Sequence, residues 1–235
     1  MKKTIDTLVE DINNLFSFNP VTMDEKDVDK CIDTFGDMIK LHVKKFLYEK
    51  PSTNGHLRLS SIGKPDRQLW YNLNIKKEET LTPSTRIKFL YGYILEEFLL
   101  LCSSIAGHTV THQQKEVEVG GVKGHQDAMI DDVLVDCKSS SGISFQKFKS
   151  NALINDDPFG YIAQISAYAE ANGVDEAAFL VIDKSTGDIC LTPVHSMEMI
   201  NADKRIKHLK KMVTDSNPPD RCYDPVPDGK SGNYK

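Results

Sequence analysis

Apolar residues recur at helical spacing through the first third of the chain and switch to alternation after it. Residues 4–16 and 24–49 read as amphipathic helices broken at Phe18-Asn19-Pro20. In the second, Val28, Ile32, Phe35, Ile39, Val43 and Phe46 share one side. Residues 57–72 combine a short extended piece, a Gly63-Lys64-Pro65-Asp66 turn and a brief helix. Thr82-Pro83-Ser84 then opens a longer helix to about Ser104, with Ile87, Leu90, Ile94, Phe98 and Leu101 on its apolar side. Gly92 costs that helix about 1 kcal/mol relative to alanine, which predicts a close backbone approach there.

Alternation governs residues 108–119, Gly120-Gly121 turns the chain, and Val122 leads into further strands. A short helix over 144–150, a clear helix over 158–172 and strands over 177–183 and 188–194 follow. A last helix spans 196–213, and the tail from Pro218 is a Pro/Gly-rich coil. This order predicts an α/β fold, a mixed (α+β) sheet flanked by helices. An N-terminal helical region (1–56) precedes the core (57–215), and a coil (216–235) closes the chain.

The stretch from Lys123 to Ser141 carries the chemistry. Two β-rich runs, ending at Ile130 and starting at Val133, make Asp131-Asp132 a two-residue hairpin turn, a poorer turn former than Asn-Gly. Folding about it sets Ile130 against Val133, Ala128 against Val135 and Asp127 against Asp136, with opposed Cβ atoms roughly 5 Å apart. Alternation then buries Ile130, Ala128, Val133, Val135 and Cys137 on one face. Asp127, Asp136 and Lys138 stand on the other, with His125 opposite Lys138. Adjacent carboxylates resist joint ionisation unless a cation lies between them, and hard oxygen donors suit Mg²⁺ or Mn²⁺. A lysine on the same face can hold an attacking water or neutralise charge developing at phosphorus. That is the apparatus of metal-assisted phosphodiester hydrolysis. Asp-x-Lys alone is common, and a solvated sheet face would look the same.

Other candidates are weaker singly. Lys64 and Arg67, near Trp70 and Tyr71, suit a phosphate backbone or a stacked base, and equally a core aromatic pair with a structural ion pair. Glu96 or Glu97 would supply a third carboxylate, against the ordinary reading of a solvated helix face. Gln164 and Tyr168 lie one turn apart, and Lys147 and Lys149 on the short helix are candidate nucleic-acid contacts. The basic run Lys204 to Lys211 is anchored by Ile206 and Leu209 and leaves a charged face for solvent or for DNA.

Composition narrows the class. With 235 residues, 40% hydrophobic and 27% charged, the chain is an ordinary globular protein, and no apolar run approaches a membrane span. Its start has the lysines but not the uninterrupted apolar run of a signal peptide. A net charge of −5 argues against a surface coated for nucleic acid yet leaves room for a local basic groove. The five scattered cysteines, with no Cys-x-x-Cys pair, read as reduced core thiols of a cytoplasmic protein.

In order along the chain, Gly92-xxx-Glu96, Gly124-x-x-Asp127, Asp136-Cys137-Lys138 and Gln164-xxx-Tyr168 resemble the motifs of the PD-(D/E)XK nuclease superfamily, in its RecB-like branch. That branch holds phage-type exonucleases and CRISPR-associated RecB-like nucleases. The resemblance implies a restriction-endonuclease-like core. It also implies that Glu96, Asp127 and Asp136, with the Cys137 carbonyl, ligate Mg²⁺ or Mn²⁺. By the same resemblance Lys138 positions or activates water, Gln164 and Tyr168 organise the site and the DNA, and Arg67 holds a phosphate. Several relatives carry histidine where Glu96 stands, which leaves Glu97 as the alternative ligand. Many hold an iron–sulfur cluster, but Pro65 stands in the early cysteine's place and only Cys222 lies late, so no cluster is expected here. A cysteine-bearing tail beyond Lys235 is left open. The expected activity is a metal-dependent deoxyribonuclease, an exonuclease of phage or mobile-element origin, acting on single strands or linear duplex. The alternatives are an inactive DNA-binding scaffold and an endonuclease. A homo-oligomer, a helicase or a recombinase as partner is left open.

Overall fold

At the centre of the computed structural model, which describes residues 3–17, 21–49, 55–75 and 81–222, lies strand β5 (Val133–Ser140). It pairs antiparallel with β4 (Ala128–Ile130) through Ala128–Val135, Met129–Leu134 and Ile130–Val133, the register that the hairpin arithmetic gives. Both turn residues are left-handed, Asp131 at φ 50° and Asp132 at φ 71°, as a two-residue primed turn requires. Asp131 is held there by its own carboxylate. Its Oδ2 lies 2.6 Å from His108 Nδ1, and its Oδ1 accepts from Thr109 N at 3.0 Å. Side-chain bonding of this kind lets an aspartate do what glycine does elsewhere.

On its other edge β5 runs parallel to β6 (Glu176–Asp183), joined by α5 (Ile143–Lys149) and α6 (Tyr161–Asn172). β7 (Ile189–His195) and β1 (Val110–Thr111) close the sheet, giving the order β1-β4-β5-β6-β7. It is a five-stranded mixed sheet flanked by helices, as expected. A separate two-stranded sheet joins β2 (Glu116–Val119) to β3 (Val122–His125) through the Gly120-Gly121 turn.

Helices cover both faces, so β5 is buried on both. Against one face pack α1 (Leu8–Leu15) and α4 (Pro83–Ile105), which with Ala128, Ile130, Val135 and Cys137 form one apolar cluster. Against the other lie α5, α6, α7 (Ala202–Met212), α3 (Asp66–Asn74) and the small sheet, around Leu134, Phe145, Ile165 and Phe179. The 24-residue helix α2 (Glu25–Tyr48) packs on α4, and only His42 of it is fully buried. That is why its predicted stripe is half-covered and Ile32 remains exposed.

Several sequence expectations change. His125 does not face Lys138; it pairs with Glu116 in the small sheet and is exposed. The chain leaves one sheet for the other at Gln126, which is fully buried, with its Oε1 accepting from Asn172 Nδ2 at 2.7 Å. Gly92 makes no close approach, since among the described residues nothing lies within 4 Å of where its Cβ would stand. Trp70 is core: it is buried, and its Nε1 donates to the Asp215 carbonyl at 2.9 Å. Helix α6 begins at Tyr161 rather than 158, after a left-handed Gly160, and α7 begins at Ala202 rather than 196. All five cysteines are free; Cys102, Cys137 and Cys190 are buried, whereas Cys222 is exposed. The Phe18–Pro20 break and the tail beyond Cys222 lie outside the described residues. No helix among the described residues is long and apolar enough to cross a membrane.

Candidate active site

Where the β4–β5 ladder runs out, the Asp127 side chain takes over its role. Asp127 Oδ2 accepts from Cys137 N at 2.7 Å, so its side chain completes the pairing that its backbone leaves open. Asp136, 1% exposed, points to the same side; its Oδ1 accepts from Gln164 Nε2 at 3.0 Å and its Oδ2 lies 2.6 Å from Lys138 Nζ. From α4, Glu96 Oε1 accepts from Gln114 Nε2 at 2.6 Å. The Cys137 thiol points into the opposite apolar cluster, so only its backbone serves this side.

Crowding of these acids governs their protonation. Burial, then the charges of Asp127, Glu97 and Asp136, hold the Glu96 carboxyl protonated well above the usual carboxylate range. Burial and Asp136 likewise raise Asp127. Burial alone would lower Lys138, but Asp136 and Asp127 override it and keep the ammonium protonated beyond its ordinary range. Its Nζ also stands 4.8 Å from the centre of the Tyr161 ring. Burial and the same two aspartates keep the Tyr168 phenol neutral.

Gly124 explains how Tyr168 gets so close. A Cβ on Gly124 would stand 2.8 Å from Leu59 Cβ and 2.9 Å from Tyr168 Cε1. Glycine is the residue that lets the strand before Asp127 lie against this ring. The structure therefore brings together Glu96, Asp127, Asp136, Lys138, Gln164 and Tyr168, with Glu97 buried behind them, 3.3 Å from His42 Nε2.

The basic candidates divide. Lys147 lines a cavity that begins at Lys138, and its Nζ is 2.5 Å from Asp156 Oδ2. Lys149 is exposed, and Lys64 is half-buried with its carbonyl accepting from Arg205. Arg67 donates to the Pro219 carbonyl at 2.5 Å and lies over Tyr71. The basic run on α7 is largely used inside the protein. Arg205 and His208 bind Asp66, Lys207 binds Asp203, and Lys210 donates to the Gly120 carbonyl. Other participants were not singled out by the sequence. Gln114 holds Glu96 and Tyr161 faces Lys138, while the charge of Arg58 reaches Tyr93, which also feels Glu96 and Asp127. Only Tyr161 had a local clue, one turn before Gln164 on the same helix.

The donors suit a hard divalent cation: all are carboxylate oxygens or a backbone carbonyl. Asp136 Oδ2 is buried and, beyond the ammonium beside it, has no hydrogen-bond partner among the described residues. Yet no three Asp, Glu, His or Cys side chains among those residues are drawn into a closed metal cage. Lys138, Gln114 and the Cys137 amide occupy the acids instead.

A mixed sheet carrying buried acids and a lysine on its hairpin is thus the class that fold and site define. No family model and no curated protein matches the chain. Among solved structures, it is similar to SSO0001 (17% identity, TM-score 0.44, covering 78% of this chain and 88% of that one). It is also similar to the alkaline exonuclease LHK-Exo of Laribacter hongkongensis (14%, 0.42, 68% and 91%). A third likeness is to a phage-related exonuclease of Haemophilus somnus 129PT (17%, 0.44, 68% and 91%). At such identities and TM-scores these likenesses carry no argument about chemistry, which rests on the residues themselves.

Proposed function

We propose that this protein is a Mg²⁺- or Mn²⁺-dependent deoxyribonuclease, acting as an exonuclease on single-stranded or linear duplex DNA. One observation carries the reading: Asp127, Asp136 and Lys138 meet on one side of the hairpin, backed by Glu96, Gln164 and Tyr168. A structural ion pair needs one acid per lysine. Here a cluster of acids is buried around one ammonium, at a cost that binding a cation would relieve. Glu96, Asp127, Asp136 and the Cys137 carbonyl would hold the ion. When bound, it would supply Lewis acidity toward the phosphate and lower the pKa of water.

The chain's own residues do the rest. Lys138, kept charged by its two aspartates, stabilises negative charge on the phosphate in the transition state. Gln164 fixes the orientation of Asp136, and the neutral Tyr168 phenol remains a hydrogen-bond donor beside it. In the metal-free protein Glu96, raised well above its ordinary range, keeps the proton that the ion would displace.

The test is digestion with Mg²⁺ or Mn²⁺ of linear single strands, linear duplex and covalently closed circles, with Asp136→Asn as control. Loss of linear DNA with circles intact, abolished by the substitution, is the expected result. Cutting of circles would make the enzyme an endonuclease. DNA bound but never cut would make it a scaffold.

A further inference from the structure

Beside Lys138 a cavity of about 200 Å³ runs along the end of β5, under α5 and the loop before α6. Its lining is unlike the acid cluster next door. Three lysines, Lys138, Lys147 and Lys184, and four serines, Ser139, Ser140, Ser141 and Ser144, line it, and no Asp or Glu does. Lys138 and Lys147 are each matched by an aspartate outside the lining, but Lys184 forms no ion pair among the described residues. The hydroxyl of Ser140, a residue that lines this cavity, is buried with no hydrogen-bond partner among the described residues. A buried hydroxyl left unsatisfied costs stability unless a ligand or water completes it. At the mouth stands Phe159, 61% exposed, stacked on Tyr161 with centroids 5.4 Å apart and planes 29° from parallel. Tyr161 is the ring that faces Lys138.

From these features we infer that the cavity is a subsite for the nucleotide adjoining the scissile phosphate on the Lys138 side, and this rests on the nuclease reading above. The next phosphate along the strand takes the serine hydroxyls and Lys184, whose donors match its acceptor oxygens and charge. The base attached to it stacks on Phe159. Size agrees with this division: pockets for whole drug-sized ligands begin at roughly 300 Å³. The cavity therefore takes phosphate and part of the sugar and leaves the base at the mouth, where the exposed ring is. An aromatic platform accepts any base, so the subsite gives grip without sequence preference.

The experiment compares wild type, Phe159→Ala and Lys184→Ala on a set of single-stranded oligonucleotides, each with one abasic position or one uncharged methylphosphonate linkage. Cleavage is read as kcat and KM, and equilibrium binding is read in EDTA. Phe159→Ala is expected to raise KM and the dissociation constant by about tenfold, within the range for one base–aromatic stack, with kcat little changed. One abasic position should weaken wild type to the same degree and erase its advantage over the variant. One methylphosphonate should do the same for Lys184→Ala, adjacent in the strand. Losses spread evenly over all positions, or confined to kcat, would overturn the subsite while leaving the nuclease intact. Wild-type protein that binds but never cuts would sink the nuclease reading, and the position-specific binding pattern would then decide the subsite alone. No binding and no cutting would dismiss both.

Discussion

Lys138 and Gly124 show how much one position carries here. With its ammonium 2.6 Å from Asp136 and protonated beyond its usual range, Lys138 acts as a fixed positive charge. Lys138→Ala should lower kcat about 100- to 1,000-fold, the effect of removing one electrostatic stabiliser, while DNA and Mn²⁺ still bind. Parallel loss of DNA binding, measured by titration, would make the lysine a phosphate anchor instead. Gly124→Ala tests packing. The added methyl meets Leu59 Cβ, fixed by its own backbone, as well as the Tyr168 ring. A cost of about 1–3 kcal/mol is expected, within the usual range for overpacking, read as a lowered denaturation midpoint with unchanged slope. Shortening Tyr168 should relieve only part of it, because Leu59 stays where it is. The sequence made the motif around Gly124 legible but not its cause, since the ring that needs the space arrives from 44 residues further on.

At the level of elements, the hairpin was readable and its surroundings were not. Alternation and a two-residue turn determine a local register, and the β4–β5 pairing follows it residue for residue. The same arithmetic failed at His125 because it assumed one unbroken strand. Gln126, bound to Asn172 on α6, ends that strand from outside. Neither helix start could be read from periodicity, because each is set by a cap. Asp157 accepts from Gly160 N and Ile162 N at the start of α6; at the start of α7 Asn201 Oδ1 accepts from Lys204 N, and Glu170 of α6 accepts from Ala202 N. The junction between the 63–66 turn and the start of α6 is glycine on glycine. A Cβ on Gly63 would overlap the backbone of Gly160, itself at φ 77°. Gly63→Ala should therefore cost about 3 kcal/mol, the upper end for overpacking, because backbone cannot swing aside as a side chain does. It should also displace the start of α6, which carries Tyr161 and Gln164. A variant as stable as wild type in chemical denaturation would refute that account of how the Gly63-Lys64-Pro65-Asp66 turn is seated.

Over the whole molecule, two sets of acids pull stability in opposite directions with pH. Asp66 joins α3 to α7 through Arg205 and His208, and these bonds outweigh its burial to hold its carboxyl below the usual range. A depressed carboxyl stabilises the fold above its unfolded value of about 3.9, and this contribution disappears as the pH falls through the folded value. Glu96 and Asp127 behave in reverse. Their folded values lie above the unfolded ones, so the native state holds more protons than the unfolded chain across that interval. Stability from that source is complete below about pH 4 and declines as the pH rises toward the folded values. The metal-free protein is therefore expected to melt highest in mildly acidic buffer and to lose stability through neutral pH. A divalent ion should reverse the second trend only, since it replaces the protons that the buried acids otherwise keep. Calorimetric scans from pH 5 to 9, with and without Mn²⁺, should show a metal-induced rise in Tm that grows with pH. In Asp136→Asn that rise should shrink. A rise that is absent, or equal at every pH, would mean that these carboxylates are not where the ion binds, and the acid cluster would need another explanation.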